Sequence, residues 1–251
     1  MKRPGSGTFY GIGLGPGDPE LLTRKAARLL SEVDWIFHPA ETRTGGSFAR
    51  HILDALELPA AKYRQVSLGM SRDREPDQRT YAAAVDTIAQ VVRQGQSAAW
   101  VTLGDPLLYS TFIYVYLEMQ QRFPDVPVTI VPGVPSTHAV AAAAGVPVAL
   151  LDEQVAVVPA TYGLQHLPAL LDHFATVFLM KIHTVFEQCL EQLATLPQHV
   201  HAVYVERVGT PEQRVVTDVA TLRGQTLSYF SMLLLRQDKS TLVAGQQKEA
   251  V

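Results

Sequence analysis

Tyr10-Gly11-Ile12-Gly13-Leu14-Gly15-Pro16-Gly17-Asp18-Pro19 is the stretch whose reading decides the fold. Residues 8–14 are β-rich, and residues 15–17 form a Gly-Pro-Gly loop. Asp18 and Pro19 then read as the N-cap and first residue of a helix with Leu21, Leu22, Ala26, Leu29 and Leu30 on its apolar face. Glycines between a strand and a helix let backbone approach a ligand closely, and the helix N–H groups point at it. The phosphate-binding patterns fail on spacing. Counting G-x-G-x-x-G from Gly11 reaches Pro16, counting from Gly13 reaches Asp18, and the chain holds no Gly-Lys-Ser/Thr triplet. Asp18 at the helix start would also repel a phosphate. The turn therefore suits a ligand other than a pyrophosphate.

Working outward, β-rich runs at 33–37, 97–103 and 126–131 alternate with helical patterns at 47–56, 76–94 and 109–121, and an alanine-rich helix follows at 136–144. Such alternation predicts a mostly parallel sheet with helices on its faces. Beyond the Pro/Gly cluster at 132–135 the texture changes. Strands at 154–158, 176–181, 199–206, 213–217 and 229–235 are joined by only two clear helices, near 167–174 and 184–195, which predicts a mixed sheet. The expected organisation is two α/β domains, residues 1–134 and 135–251, with residues 237–251 as a loosely ordered tail.

Composition agrees with a globular chain. Of 251 residues, 47% are hydrophobic and 18% charged, against about 25% charged in an average domain, which speaks against intrinsic disorder. A net charge of −3 gives no electrostatic footprint for nucleic acid or a membrane surface. Lys2 and Arg3 are followed by Pro4-Gly5-Ser6-Gly7 rather than an apolar run, so no signal peptide is expected. Residues 126–151 carry no Asp, Glu, Lys or Arg, but four prolines and two glycines exclude a continuous spanning helix. The single cysteine, Cys189, excludes an internal disulfide and a multi-thiolate metal site. A soluble, cytoplasmic protein is the expectation.

Two further strand ends resemble the first. Thr102-Leu103-Gly104-Asp105-Pro106-Leu107-Leu108-Tyr109-Ser110-Thr111 turns from a strand into a helix, and so does Ile130-Val131-Pro132-Gly133-Val134-Pro135-Ser136-Thr137. In an open α/β sheet the carboxyl ends of the strands form the ligand crevice, so Asp105 would project there. One carboxylate and two hydroxyls on three such turns fit a neutral or cationic ligand with an amine. Each turn taken alone also reads as an ordinary tight turn.

Together these segments resemble the tetrapyrrole (corrin/porphyrin) methylase family. The marks are YGIGLGPGDPELLT at 10–23, GDPLLYSTF at 104–112, VPGVPS at 131–136, LMK at 179–181, ERVGTPEQRV at 206–215 and YFSMLL at 229–234, in family order. The common methyltransferase loop carries an acidic residue two positions before its first glycine; Phe9 stands there, consistent with a family of unrelated fold. Within the family, IFHPAETRTGGSFARHIL at 36–53 and GMSRDREPDQRTYAAA at 69–84 resemble the branch acting at C(20) of precorrin-2 or cobalt-factor II in cobalamin biosynthesis. Tyr109-Ser110 stands where uroporphyrinogen III methylases typically carry Gly-Arg.

The resemblance implies a homodimer of two-domain subunits. S-adenosylmethionine would lie in the cleft between the domains, with S-adenosylhomocysteine as product and the tetrapyrrole in an adjoining trough. It implies that Leu14 and Pro16 line the mouth of the cofactor pocket and that Gly104, Asp105 and Leu108 hold the methionine moiety. Ser136 and Thr137 would contact the cofactor, with Met180, Val208 and Ser231 around the adenine. Asp105 and Tyr109 are the catalytic candidates, and His38 is a third candidate base. His38, Arg43, Arg72 and Arg74 are candidate contacts for the substrate carboxylates. The arginines sit in a mixed-charge stretch that reads equally as a solvated surface. His199 and His201 form an H-x-H at a strand start with no third ligand, so no metal is expected. Cys189 shares a helical face with Val185, Phe186, Leu190 and Leu193, which reads as core.

Overall fold

The computed structural model describes residues 7–40, 48–67, 78–196 and 199–237. The chain divides into two compact units, Met1–Ser136 and Thr137–Val251. In the first, the order is β1 (Phe9–Gly13), α1 (Arg24–Glu32), β2 (Trp35–Ala40), α2 (Phe48–Asp54), β3 (Tyr63–Ser67), α3 (Gln78–Arg93), β4 (Ala98–Thr102), α4 (Phe112–Arg122) and β5 (Val128–Val131). The strands lie in the order β3-β2-β4-β1-β5, and every pairing is parallel. Every residue of β1 and β4 is buried, as central parallel strands covered on both faces must be. Ile12, Leu14, Leu30, Ile52 and Val101 form the core on one side, and Phe9, Val85, Ile88, Trp100 and Phe112 the core on the other.

Three local readings are corrected here. Asp18 caps only a single 3-10 turn, Pro19–Leu21, where its Oδ1 accepts the Glu20 N–H at 2.8 Å. Leu22 is extended, and Thr23 starts α1 by accepting the Ala26 N–H at 3.1 Å. The helix expected from residue 109 begins at Phe112, because Tyr109 adopts a left-handed backbone (φ 51°) that no α-helix tolerates. The edge strand β3 was not anticipated.

In the second unit, helix α5 (Ser136–Ala144) leads into β6 (Val155–Pro159), α6 (Ala160–Gly163), α7 (Leu167–His173), β7 (Thr176–Met180), α8 (Phe186–Leu193), β8 (Val200–Glu206), β9 (Arg214–Val216) and β10 (Ser231–Gln237). The sheet order is β6-β7-β10-β8-β9. Only β6–β7 is parallel, so the sheet is mixed, as its texture predicts. Alternation along the strands separates two faces. Phe178, Val203, Val205, Met232 and Leu234 pack with Val140 and Ala141 of α5. Val177, Leu179, Tyr204, Leu233 and Leu235 pack with Leu167, Phe186 and Cys189 from α7 and α8. Cys189 is fully buried, and burial pushes its thiol up to about 12, which leaves it a packing residue. Towards one end of β10 the buried Arg236 guanidinium grips both Glu153 oxygens, at 2.9 and 2.7 Å, and donates to Thr176 Oγ1 at 2.9 Å.

Candidate functional site

The three glycine turns of the first unit meet. Beyond the last ladder bond of β1, Leu14 N–H donates to Thr102 O at 2.9 Å. Gly15 and Gly104 then form an isolated antiparallel bridge, with Gly104 N–H donating to Gly15 O at 2.7 Å and Gly15 N–H to Gly104 O at 3.3 Å. Gly104 has φ +65°, a backbone that only glycine adopts without strain. Gly133 closes the group from the β5 side. A Cβ built there would lie 2.2 Å from Gly104 O and 2.9 Å from Gly13 Cα, so backbone packs directly on backbone.

Asp105 fastens this arrangement. Its Oδ1 accepts the Leu107 N–H at 2.9 Å, and its Oδ2 accepts the Gly133 N–H, 28 residues away, at 3.1 Å. The half-buried carboxylate thus joins the β4 turn to the β5 turn while keeping unused lone pairs. Farther along the same turn, Ser110 Oγ donates to Thr102 Oγ1 at 2.9 Å and accepts the Phe112 N–H at 3.0 Å. This buried hydroxyl pair fixes the residue after Tyr109, whose left-handed backbone presents a ring that is 45% exposed. Leu107 beside it is 53% exposed, and Leu108 is half-buried.

The remaining expected residues of this unit divide. Gly104 and Pro16 are buried in the turns, and Ser136 is the first residue of α5, its backbone N 3.6 Å from where a Gly104 Cβ would stand. The Leu14 side chain lies wholly in the core and is not available to line a pocket mouth; only its backbone is at the turn. His38 is 6% exposed and packs edge-on against Tyr63, with its Nδ1 unpartnered. Burial holds its imidazole below the ordinary histidine value, and nearby Arg50 acts in the same direction. That environment suits a neutral core ring better than a contact for substrate carboxylates. Arg43, Arg72 and Arg74 lie outside the described residues.

In the second unit, Met180 at the end of β7 stands opposite Met232 at the start of β10. Both share one face of the sheet with Val208. Thr137, the second residue of α5, is buried, and Val140 and Ala141 of that helix pack on the same face. Ser231 departs from the expected grouping. It has the parity of Leu233 and Leu235, so its side chain belongs to the opposite face, where its Oγ donates to Ser228 O at 2.6 Å. Met232, one residue on, is the neighbour that alternation would have named.

On Ser231's face, Tyr204 donates its hydroxyl to Glu206 Oε2, and Arg214 Nε lies 2.9 Å from Glu206 Oε1. Burial would raise the Glu206 carboxyl, but the Tyr204 hydroxyl, the Ser228 N–H and Arg214 outweigh it and hold the group below the usual carboxylate range. Burial, then the Glu206 carboxylate, pushes the Tyr204 phenol far up. A cleft of about 310 Å³ opens beside them, lined by Glu206, Arg207, Glu212, Thr226, Leu227 and Ser228. Among the described residues, no group of three or more His, Cys, Asp or Glu side chains could hold a metal ion, and no helix is long and apolar enough to cross a membrane.

The profile of the Tetrapyrrole (Corrin/Porphyrin) Methylases matches residues 8–223, which takes in all three turns and the Met180–Val208 edge. The chain belongs to the tetrapyrrole methylases. Among similar proteins, cobalamin biosynthesis protein CobIJ of Mycobacterium tuberculosis is 32% identical over 238 residues, covering 91% of this chain and 46% of that protein. The chain thus spans about half the length of these first relatives. Precorrin-2 C(20)-methyltransferase of Sinorhizobium sp is 29% identical over 245 residues, covering 94% of this chain and 97% of the relative. The fold matches uroporphyrin-III C-methyl transferase of Thermus thermophilus, solved with S-adenyl homocysteine, at a TM-score of 0.64 and 22% identity, covering 92% of this chain and 97% of that one.

What a tetrapyrrole methylase asks of this chain is positioning. Three backbone turns fastened by a carboxylate, beside half-exposed Leu107 and Tyr109, make a ledge built mainly of backbone. Such a ledge suits a transfer reaction that gains its rate from orientation; well-oriented systems reach effective molarities of roughly 10⁵–10⁸ M.

Proposed function

We propose that the protein transfers a methyl group from S-adenosylmethionine to C(20) of precorrin-2 or cobalt-factor II, releasing S-adenosylhomocysteine. The convergence of Gly13, Gly104, Asp105 and Gly133 carries this reading, since it makes a backbone-lined cradle fastened by a carboxylate. A ligand bearing an ammonium group and a sulfonium fits that chemistry; a pyrophosphate does not. The C(20) assignment is supported by likeness to precorrin-2 C(20)-methyltransferase over nearly the whole of both chains.

In this reading Gly104, Leu108 and the Leu14 and Pro16 backbone cradle the methionine moiety, with Asp105 facing its ammonium. Ser136 and Thr137 contact the cofactor at the start of α5, and Met180 and Val208 lie against the adenine. The cofactor supplies an electrophilic methyl on a sulfonium. The ring carbon forms a bond to that methyl as the sulfur–carbon bond breaks, and then loses its proton. Asp105 and Tyr109 are the proposed acceptors at the β4 turn: the Asp105 oxygens each accept one backbone N–H and keep further lone pairs, whereas half-exposed Tyr109 would accept a proton only as its phenolate. Arg43, Arg72 and Arg74 are proposed contacts for the substrate carboxylates. A cytoplasmic homodimer is the proposed working form, which sedimentation would test.

The deciding experiment is anaerobic incubation with S-adenosylmethionine bearing a labelled methyl, offering precorrin-2 and cobalt-factor II separately. Mass spectrometry and NMR should find one added methyl at C(20), and the preferred substrate settles the cobalt question. Label on another carbon would keep the family and change the regiochemistry. No transfer to either acceptor would overturn the assignment.

A further inference from the structure

Two of the sequence motifs, ERVGTPEQRV and YFSMLL, also meet away from the Met180–Val208 edge. Their polar residues come together on the face of the second sheet opposite Met180 and Val208. Glu206 and Arg214 are register partners at the base of the β8–β9 hairpin, and their side chains pair at 2.9 Å. Glu206 also stands opposite Ser231 in the β8–β10 ladder. Its Oε2 accepts the Tyr204 hydroxyl and, at 3.3 Å, the Ser228 N–H. Ser231 Oγ in turn donates to Ser228 O, closing the turn that leads into β10.

The hairpin loop 207–213 grows from this clasp. Arg207 has a left-handed backbone (φ 50°), costly for a side chain of its size, and its N–H is tied to Phe230 O at 2.8 Å. Gln213 Oε1 accepts the Gly209 N–H at 2.9 Å, and Thr210 Oγ1 donates to Arg207 O at 2.8 Å. The strained residue sits between Glu206, locked on one face, and Val208, packed on the other beside Met180 and Met232. A loop in such a conformation persists only if its base is over-determined, and the Glu206 carboxylate gathers three of the contacts that do so.

We propose that Glu206 is a positioning residue: with Arg214, Tyr204 and the Ser228–Ser231 turn it locks the base of the 207–213 loop, and so fixes Val208 at the Met180–Met232 edge where the adenine ring would lie. The proposal rests on the cofactor reading above and adds a residue on the far side of the sheet from the ligand. Glu206 touches no reacting atom and acts through Val208.

The test is calorimetric titration of S-adenosylhomocysteine into folded wild-type, Glu206→Ala, Glu206→Gln and Arg236→Ala proteins, with thermal unfolding measured alongside. Arg236 holds Glu153 towards the other end of β10, so its variant reports what a purely structural loss in this unit does. Glu206→Ala should weaken binding about tenfold, or about 1.4 kcal/mol. Glu206→Gln, which keeps an acceptor for Tyr204, should bind between the two, and serves if the alanine variant does not fold. Arg236→Ala should lower the melting temperature and leave affinity within about twofold of wild type. Wild-type affinity in both Glu206 variants, or an equal loss in Arg236→Ala, overturns the proposal while the cofactor reading stands. Absence of binding by the wild-type protein overturns both.

Discussion

The glycine turns of the first unit and the Met180–Val208 edge of the second are built in opposite ways. In the first, the strand-end turns are made of backbone: Gly13, Gly104 and Gly133 touch without intervening side chains, and one carboxylate, Asp105, ties two turns together. In the second, the edge carrying Met180 and Val208 is made of apolar side chains, and its precision comes from a polar clasp on the reverse face. Backbone contact tolerates no added atom, whereas a clasp of side chains can be loosened by degrees. Substitutions at the glycine contacts should therefore act on folding, and those at the Glu206 clasp on affinity.

The largest effect should come from Gly133→Ala. The new Cβ would fall 2.2 Å from Gly104 O, and the obstacle is backbone rather than the end of a flexible side chain. Relief requires shifting the β4 or β5 turn, and overpacking of this kind costs about 3 kcal/mol or prevents folding outright. Urea unfolding of the variant measures it. A loss below about 1 kcal/mol would mean that the turns yield easily, and the contrast between the units would disappear.

Asp105→Ala comes next. It leaves the Leu107 and Gly133 N–H groups without their acceptor, a loss of about 1–3 kcal/mol for a group of this kind. It should also weaken binding of S-adenosylmethionine, because the ammonium would lose its charged partner. Calorimetry and melting on the same sample separate the two roles. Reduced stability with unchanged affinity would leave Asp105 as a clasp alone and remove it from the ammonium site. Ser110→Ala should cost less, about 1 kcal/mol, by breaking the hydroxyl pair with Thr102. If Tyr109 matters to turnover, this variant should lower kcat more than cofactor affinity, since it frees the backbone beside that ring.

How much of this could be read from the sequence follows from how far apart the partners lie. The α/β class, the parallel first sheet and the mixed second sheet come from periodicity, which is local. Strand β3, Tyr63–Ser67, escaped because Arg64 and Gln65 are exposed at the sheet edge and leave only Tyr63 and Val66 as an apolar signal. The break after Pro19–Leu21 escaped because Asp18-Pro19 is a good helix start; the competing cap at Thr23 shows only when the bond to Ala26 is seen. The glycine turns were legible as turns, but their contact was not: Gly13 and Gly133 are 120 residues apart in the chain. Ser231 was grouped with Met180 and Val208 by motif, although its parity with Leu233 and Leu235 puts it on the other face. Parity is local and was available; which face carries the apolar edge was not.

The smallest effect, and the one that sharpens the contrast, is the pH dependence of stability. His38 in the first unit and Glu206 in the second both have folded pKa values below their unfolded ones, so in each case the unfolded chain takes up a proton first as pH falls. Stability is then complete above the unfolded pKa and declines as pH drops towards the folded one. For His38 that decline begins just below 6.5, the ordinary histidine value, and for Glu206 just below 4.5. His183, also lowered by burial, adds to the first window from the second unit. Urea midpoints measured from pH 8 to pH 4 should therefore fall in two stages. His38→Asn should flatten part of the upper stage and leave the lower one unchanged; Glu206→Gln should do the reverse. A lower stage left unchanged by Glu206→Gln would mean that the clasp is held by the strand ladder rather than by the carboxylate. The second unit's edge would then be as much a matter of backbone as the first.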